Sequence, residues 1–355
     1  MASLQELQAV RLAKIEKLEN AGMSAYPTEI TRDYTLAQIE SDFENLSDQS
    51  LVSAARITAI RGAGAIVFVG LHDGTGSFQA VLKKDSIDES KMNLFKETVD
   101  VGDFIQFTGE LFVTKRGQNS LLVADWNMAG KTLLPMPEKW AGITDTDEIY
   151  RKRYLDLMSN QNSFDRFALR SRVIKEIRNY FDTRDFMEIE TPILQNQAGG
   201  AMARTFNTHH NDMDMGMVLR ISLELEHKMI MAGGYSRIYE IGKNFRNEGS
   251  DPTHLQEFTM MEWYAAYETL DQNMDWTENL LKYLARSVVG KTEFTVYDEK
   301  GNETMVNFDG VWNRVRFPDL LKQNADLDIE TAARDDIVAT AKQWGMQPDE
   351  ITKTG

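Results

Sequence analysis

Apolar side chains recur at helical spacing at Leu4, Leu7, Val10, Leu12, Ile15 and Leu18, and the run stops before Gly22. Residues 4–20 are therefore predicted to form an amphipathic helix. From Leu51 onward the period changes to two. Alternating runs at residues 51–60, 66–72, 77–82, 104–114 and 121–127 are separated by glycine-bearing turns, and five such strands predict a small closed barrel. In the second run Val67, Val69 and Leu71 share one face while Phe68 points to the other. A hairpin closing through residues 73–76 would bring Gln79 near Phe68. Residues 130–150, with two prolines and two glycines, read as a linker.

The helical period returns in Val173, Ile174, Ile177, Tyr180 and Phe181, and a strand follows from Phe186 to Pro192. A loop containing Gly199 and Gly200 leads to a strand at residues 218–221. Ser222 is then placed to cap a helix over residues 223–231 that carries Glu224 in its first turn. Residues 237–264 read as strand, loop, strand. Glu240, Asn244 and Arg246 align before the turn, and Phe258, Glu262 and Tyr264 align after it. Beyond Tyr264 the pattern predicts a helix over residues 273–289, strands at 294–297 and 304–308, and an acidic tail from Asp326.

Composition narrows the classes. With 355 residues, 42% of them hydrophobic, the chain is long enough for two domains, and no run is apolar enough to span a membrane. The absence of cysteine excludes disulfides and thiolate metal sites and is compatible with the cytoplasm. A net charge of −16 argues against a broad electrostatic grip on nucleic acid, so any RNA contact must be local, built from a few arginines and aromatics. His209 and His210 point to opposite sides of a strand and lack a third ligand at metal spacing, so no metal is expected there.

The chemistry concentrates in RIYEIGKNFRNEGSDPTHLQEFTMMEWY. Arginine suits a carboxylate or phosphate, an aromatic ring can stack on a base, and a carboxylate beside a tyrosine hydroxyl suits an ammonium group. Those are the parts of an aminoacyl adenylate, although an ordinary hairpin with a solvated polar face fits the pattern equally. The stretch resembles motif 2 of the class II aminoacyl-tRNA synthetases, and FRNEG with EFTMMEWY resembles the lysyl version in particular. RLAKIEKLENAGMSAYP is similar to the segment ahead of that family's tRNA-binding domain, and LHDGTGSFQAVL to its anticodon-binding barrel.

The resemblance implies an α+β chain: a leading segment at 1–50, an OB-fold anticodon-binding domain at 51–129, a linker at 130–150 and a class II catalytic domain from 151. It implies lysine and ATP as substrates, Mg2+ as cofactor, tRNA(Lys) as partner, a homodimer formed from Phe164 to Pro192, and a cytoplasmic location. Arg56, Phe68 and Gln79 would then contact the anticodon. Gly200, Glu224, Arg246, Glu262 and Tyr264 would hold lysine, with the Glu224 carboxylate on its α-ammonium. Arg246, Glu248, His254 and Phe258 would hold ATP, with Arg246 and His254 serving catalysis. The chain departs from the family pattern at Ala55, where glycine is usual, and at Ala65, where lysine is common. Asp185 replaces a glycine, Leu223 a proline and Thr253 a frequent arginine. After Ala265 the glycines are Gly290, Gly301, Gly310, Gly345 and Gly355, from which the family's motif 3 cannot be built. The expectation is a catalytic domain truncated before its metal-binding strand, and a chain that does not activate lysine as it stands. An aspartyl or asparaginyl relative is disfavoured by Glu262 and by the TMMExY string. A non-catalytic RNA-binding descendant is the alternative of another class.

Overall fold

The computed structural model describes residues 3–62, 64–136, 143–251, 253–298 and 301–346. The chain divides into two compact units, residues 1–166 and 167–355.

In the first unit, α1 (Leu4–Asn20) begins at a capping box. Ser3 Oγ accepts from the Glu6 N–H at 3.2 Å, and Glu6 Oε2 accepts from the Ser3 N–H at 2.6 Å. Two short helices, α2 (Leu36–Ser41) and α3 (Phe43–Leu46), precede the strands. These are β1 (Ser50–Arg61), β2 (Ile66–His72), β3 (Ser77–Lys83), β4 (Phe104–Val113) and β5 (Asn119–Gly130), with α4 (Glu89–Thr98) between β3 and β4. They close in the order β1-β2-β3-β5-β4, with β3 and β5 parallel and β4 returning antiparallel to β1. The alternation seen in the sequence turns Ile57, Val67, Val69, Leu71, Phe107 and Trp126 inward, all buried. Trp126 satisfies its ring N–H on the Lys91 carbonyl at 3.0 Å.

Part of the expected linker is fastened to the barrel. Arg11 donates to the Thr132 and Leu134 carbonyls, and the buried Lys131 ammonium reaches Asp100 at 2.5 Å and Asp103 at 2.7 Å. Lys14 adds a second ammonium on Asp100 at 2.6 Å. Residues 137–142 of that linker lie outside the described residues. Helices α5 (Thr146–Arg151) and α6 (Arg153–Ser159) follow, and α7 (Gln161–Asp182) crosses the division between the units.

The second unit holds β6 (Met187–Glu188), β7 (Leu194–Gln195), β8 (Asn207–His210), β9 (Met215–Leu219), α8 (Glu224–Ala232), β10 (Arg237–Phe245), β11 (Glu257–Ala265) and α9 (Leu270–Leu284). After α9 come a π-turn (Ala285–Val289), β12 (Glu293–Tyr297), β13 (Glu303–Asn307), α10 (Phe317–Ala325) and α11 (Arg334–Gln343). The central sheet runs β11-β10-β6, and β7-β9-β8 and β12-β13 form two smaller ones. One face of the central sheet packs an aromatic core of Tyr180, Phe181, Phe186 and Tyr239, with Trp263 and Trp276 against it.

Three local expectations change. The strand expected from Phe186 to Pro192 is regular only at Met187–Glu188, because Thr191 turns its hydroxyl onto Glu240 and Pro192 has no N–H to offer a ladder. The strand expected to reach Ile221 ends at Leu219, where the Arg220 N–H bonds Ile193 instead. Leu223, not Ser222, is the N-cap of α8, although Ser222 Oγ still accepts the Glu224 N–H at 3.2 Å. Asp185, three residues beyond the end of α7, adopts φ 61°, a left-handed conformation that strains a residue bearing a Cβ. The helices α10 and α11 were not foreseen from the pattern.

Candidate functional site

The antiparallel register of β10 and β11 sets Asn244 opposite Phe258, Glu240 opposite Glu262 and Ile238 opposite Tyr264. Directly paired residues share a face, so the two polar rows read from the sequence form one surface, and the aromatic core lies under the other. Arg246 prolongs this pairing through its N–H to the Gln256 carbonyl at 2.8 Å. Its guanidinium lies 5.2 Å from the Phe258 ring centroid, and its Nε reaches the Ile221 carbonyl at 3.4 Å. Among the described residues no carboxylate pairs with Arg246, so its fork is available to an anion.

Four residues along this surface, Glu262 Oε1 accepts from the Ser222 hydroxyl at 3.2 Å and the Leu223 N–H at 3.4 Å, while Oε2 accepts from the Tyr264 hydroxyl at 3.0 Å. All three donors are uncharged, and among the described residues no cation pairs with this half-buried carboxylate. Burial and the neighbouring Glu262 push the Tyr264 hydroxyl pKa well above its ordinary value, so it stays a proton donor. A groove of about 510 Å3 is lined by Glu262, Tyr264, Glu268, Thr269 and Asn273.

Gly200 closes on the same region. Its φ is 80°, and a Cβ there would stand 2.8 Å from the Glu224 Cβ and 2.9 Å from Ser222 Oγ, so only glycine fits. Glu224 Oε1 is held by Lys228 Nζ at 2.6 Å, one helical turn on. Glu248, at the far end of the hairpin, accepts from the Arg204 N–H at 3.4 Å, while the Asn247 N–H bonds the Arg204 carbonyl at 2.9 Å. These contacts tie the glycine loop to the hairpin.

His254 stands apart from this group. It is exposed, and its Nδ1 pairs with Asp251 Oδ2 at 2.7 Å. The hydroxyl and N–H of Thr253, with His254, hold the Asp251 carboxyl far below the usual carboxylate range. Pro252 of this turn lies outside the described residues. His209 meets Asp214 at 3.2 Å, and His210 Nδ1 accepts from the Met213 N–H.

On the outer face of the barrel, Arg56 pairs in register with His72, Gly70 with Gln79, and Arg61 with Phe68. Phe68 is half-exposed above the buried Val81, its partner on β3. Gln79 donates to Ser120 Oγ at 2.8 Å, and the Arg56 guanidinium covers the Phe104 ring at 4.4 Å. Arg11, Arg32, Arg56, His72 and Phe104 border a hollow of about 860 Å3 in the same unit.

Residues 145–347 match the family described as tRNA synthetases class II (D, K and N), and residues 52–129 match the OB-fold nucleic acid binding domain. The chain is 40% identical to the lysine-tRNA ligase of Lactococcus lactis subsp. cremoris (strain MG1363) over 339 residues, 93% of this chain and 67% of the relative. It is also 40% identical to that of Clostridium tetani over 87% of this chain and 60% of the relative, and 39% identical to that of Clostridium botulinum (strain Loch Maree / Type A3) over 95% and 66%.

The chain belongs to the class II lysine-tRNA ligase family.

It spans about two thirds of the length of these lysine-tRNA ligases. Within the matched region lie groups that sequence patterns did not single out. Arg220, Thr191 and His227 converge on Glu240. Arg220 Nη1 reaches Oε1 at 2.8 Å, while Oε2 takes the Thr191 hydroxyl at 2.7 Å and His227 Nε2 at 3.1 Å. The His227 ring also stands edge-on to Tyr264, with centroids 5.2 Å apart. Their positions come from a strand end, a loop and a helix, so no spacing in the sequence announces them. The one available signal was an arginine directly ahead of the Ile221–Ser222 pair that introduces Glu224.

Proposed function

We propose that this chain carries the lysine-binding and anticodon-reading parts of a lysine-tRNA ligase. The carboxylate of lysine attacks the α-phosphate of ATP and expels pyrophosphate. A ribose hydroxyl at the end of tRNA(Lys) then attacks the lysyl-adenylate carbonyl and expels AMP. Neither step needs a protein nucleophile, so the side chains act by position and charge.

The unpaired carboxylate of Glu262 carries this reading. Held by neutral donors and, among the described residues, left without a cation, it is complementary to an ε-ammonium, with Tyr264 orienting it. Gly200 allows close backbone approach to the amino acid, and Glu224 exchanges Lys228 for the α-ammonium. Arg246 bridges the lysine carboxylate and the α-phosphate. Phe258 stacks on adenine, Glu248 reads the adenine edge, and His254 swings from Asp251 toward the γ-phosphate. Residues 51–129 serve as the anticodon domain, with Arg56, Phe68 and Gln79 as contacts, and residues 151–355 belong to the catalytic domain. A homodimer through the stretch from Phe164 to Pro192 and a cytoplasmic place beside translation complete the proposal.

Mg2+ is the ion such chemistry implies. Among the described residues no group of three or more acidic or histidine side chains is arranged to hold a metal.

Isothermal titration of lysine into the 355-residue chain tests the reading. Glu262→Gln is expected to weaken lysine binding by about 2–5 kcal/mol, with ATP affinity retained. Equal lysine affinity in the two proteins would remove Glu262 from the site.

A further inference from the structure

Glu240 and Glu262 face each other across β10 and β11, a placement in which like charges repel at a Cβ separation of about 5 Å. The fold treats them differently. Glu240 is 3% exposed, and both its oxygens are taken by Arg220, Thr191 and His227. Burial pushes its carboxyl pKa up, but the hydrogen bonds from His227 and Thr191 and the charge of Arg220 bring it below the ordinary value. Among the described residues Glu262 has neutral donors only.

Space for the Arg220 guanidinium is built into β10. A Cβ at Gly242 would stand 2.2 Å from Arg220 Nη2 and 2.9 Å from Glu240 Oε1, so the strand omits a side chain there. Arg220 is further fixed by Nε on the Lys243 carbonyl at 2.9 Å and Nη1 on the Thr191 carbonyl at 2.9 Å. The next three residues touch both halves of the site: the Ile221 carbonyl accepts from Arg246, and Ser222 and Leu223 donate to Glu262.

We propose that Arg220 is a positioning residue that sets the charge the side-chain pocket demands. It cancels Glu240 and leaves Glu262 as the uncompensated carboxylate, so the pocket takes an aliphatic side chain ending in a single cation. The inference rests on the assignment of lysine to Glu262. If Glu240 lost its charge, the guanidinium beside it would stand uncancelled on the sheet face that Glu262 shares and would oppose the ammonium of the ligand.

Lysine and norleucine, which keeps the four side-chain carbons and lacks the ammonium, are titrated into the 355-residue chain and three variants. Glu240→Gln should lower the preference for lysine over norleucine about tenfold or more. The double variant Arg220→Met/Glu240→Gln should return it to within about threefold of the parent, since both charges leave together. Gly242→Ala alters no charge but displaces the guanidinium, and should fall between them. If Glu240→Gln does not fold, the other two proteins decide the matter. An unchanged preference in Glu240→Gln and Gly242→Ala would overturn the role of Arg220 while leaving the lysine assignment intact. An equal loss of both amino acids would also overturn it, because scaffolding alone would then account for the effect. A parent without any preference for lysine would overturn the assignment and this inference with it.

Discussion

Both units place charge out of reach of water, and the two clusters differ in their balance. In the barrel unit, Lys131 and Asp103 are fully buried and joined to Asp100, which also meets Lys14 and Arg11. Three cations there meet two carboxylates and knit α1 to the turn before β4 and to the stretch after β5. In the second unit, Arg220 meets Glu240, while among the described residues no cation meets the cross-strand neighbour Glu262. A saturated cluster has nothing left to offer a ligand and serves stability. An unsaturated one serves binding, and its imbalance states what is missing. The contacts proposed for the barrel lie instead on its outer face, in an aromatic ring and in neutral or singly charged side chains.

The largest expected effect tests the saturated side. Lys131→Met should destabilise the barrel unit by about 3–5 kcal/mol, because Asp103 is left buried without its partner. Urea unfolding would measure it, and an unchanged midpoint would erase the distinction. Acid should act on the same cluster. Burial raises the Asp100 carboxyl, but its bonds to Lys131 and Lys14 bring it below its ordinary value. Its contribution is therefore complete above about pH 4 and is withdrawn as pH falls through the lowered value. The urea midpoint should drop over that window, less steeply in Lys131→Met.

Glu262→Gln should do the reverse of Lys131→Met, costing lysine binding about 2–5 kcal/mol while shifting the unfolding midpoint little. A variant that loses both together would make Glu262 a scaffold residue. Phe68→Ala should weaken binding of an anticodon stem-loop by about 1–3 kcal/mol with the barrel intact, since the core is built from Val67, Val69 and Leu71 on the other face of β2. Retained affinity would take Phe68 out of the RNA face. The smallest effect is a gain: Asp185→Gly relieves a left-handed backbone and should stabilise the second unit by about 0.5–1 kcal/mol, seen as a higher thermal midpoint.

The barrel was legible almost strand by strand because each run is short, bounded by turn residues and buried on one face only. The hairpin of the second unit was legible for the same reason, and its register placed Glu240 against Glu262 as the alternation required. What the pattern missed has one cause. Arg220, Thr191 and His227 act through a partner at long sequence distance, with His227 inside α8 and Glu240 on β10. The Lys131 cluster escaped notice similarly, since a stretch rich in proline and glycine reads as a connector whatever it is tied to. The helices α10 and α11 carry no buried residue and run for only 9 and 10 residues, so each offers few turns over which a helical period can be read.

Trp263 lies between Glu262 and Tyr264 in β11, and the pleat turns it to the opposite side of the sheet. Its indole N–H is held by Asn273 at 2.8 Å and its ring rests 5.4 Å from Phe181. The two side chains proposed to grip the ligand are thus joined by one peptide unit on each side to a chromophore seated in the aromatic core. Occupation of the pocket that shifts this strand changes the polarity and hydrogen bonding felt by the indole, so the protein carries an intrinsic fluorescent gauge of its own ligation. Trp126, sealed inside the barrel on the Lys91 carbonyl, supplies the optical reference against which that change can be read.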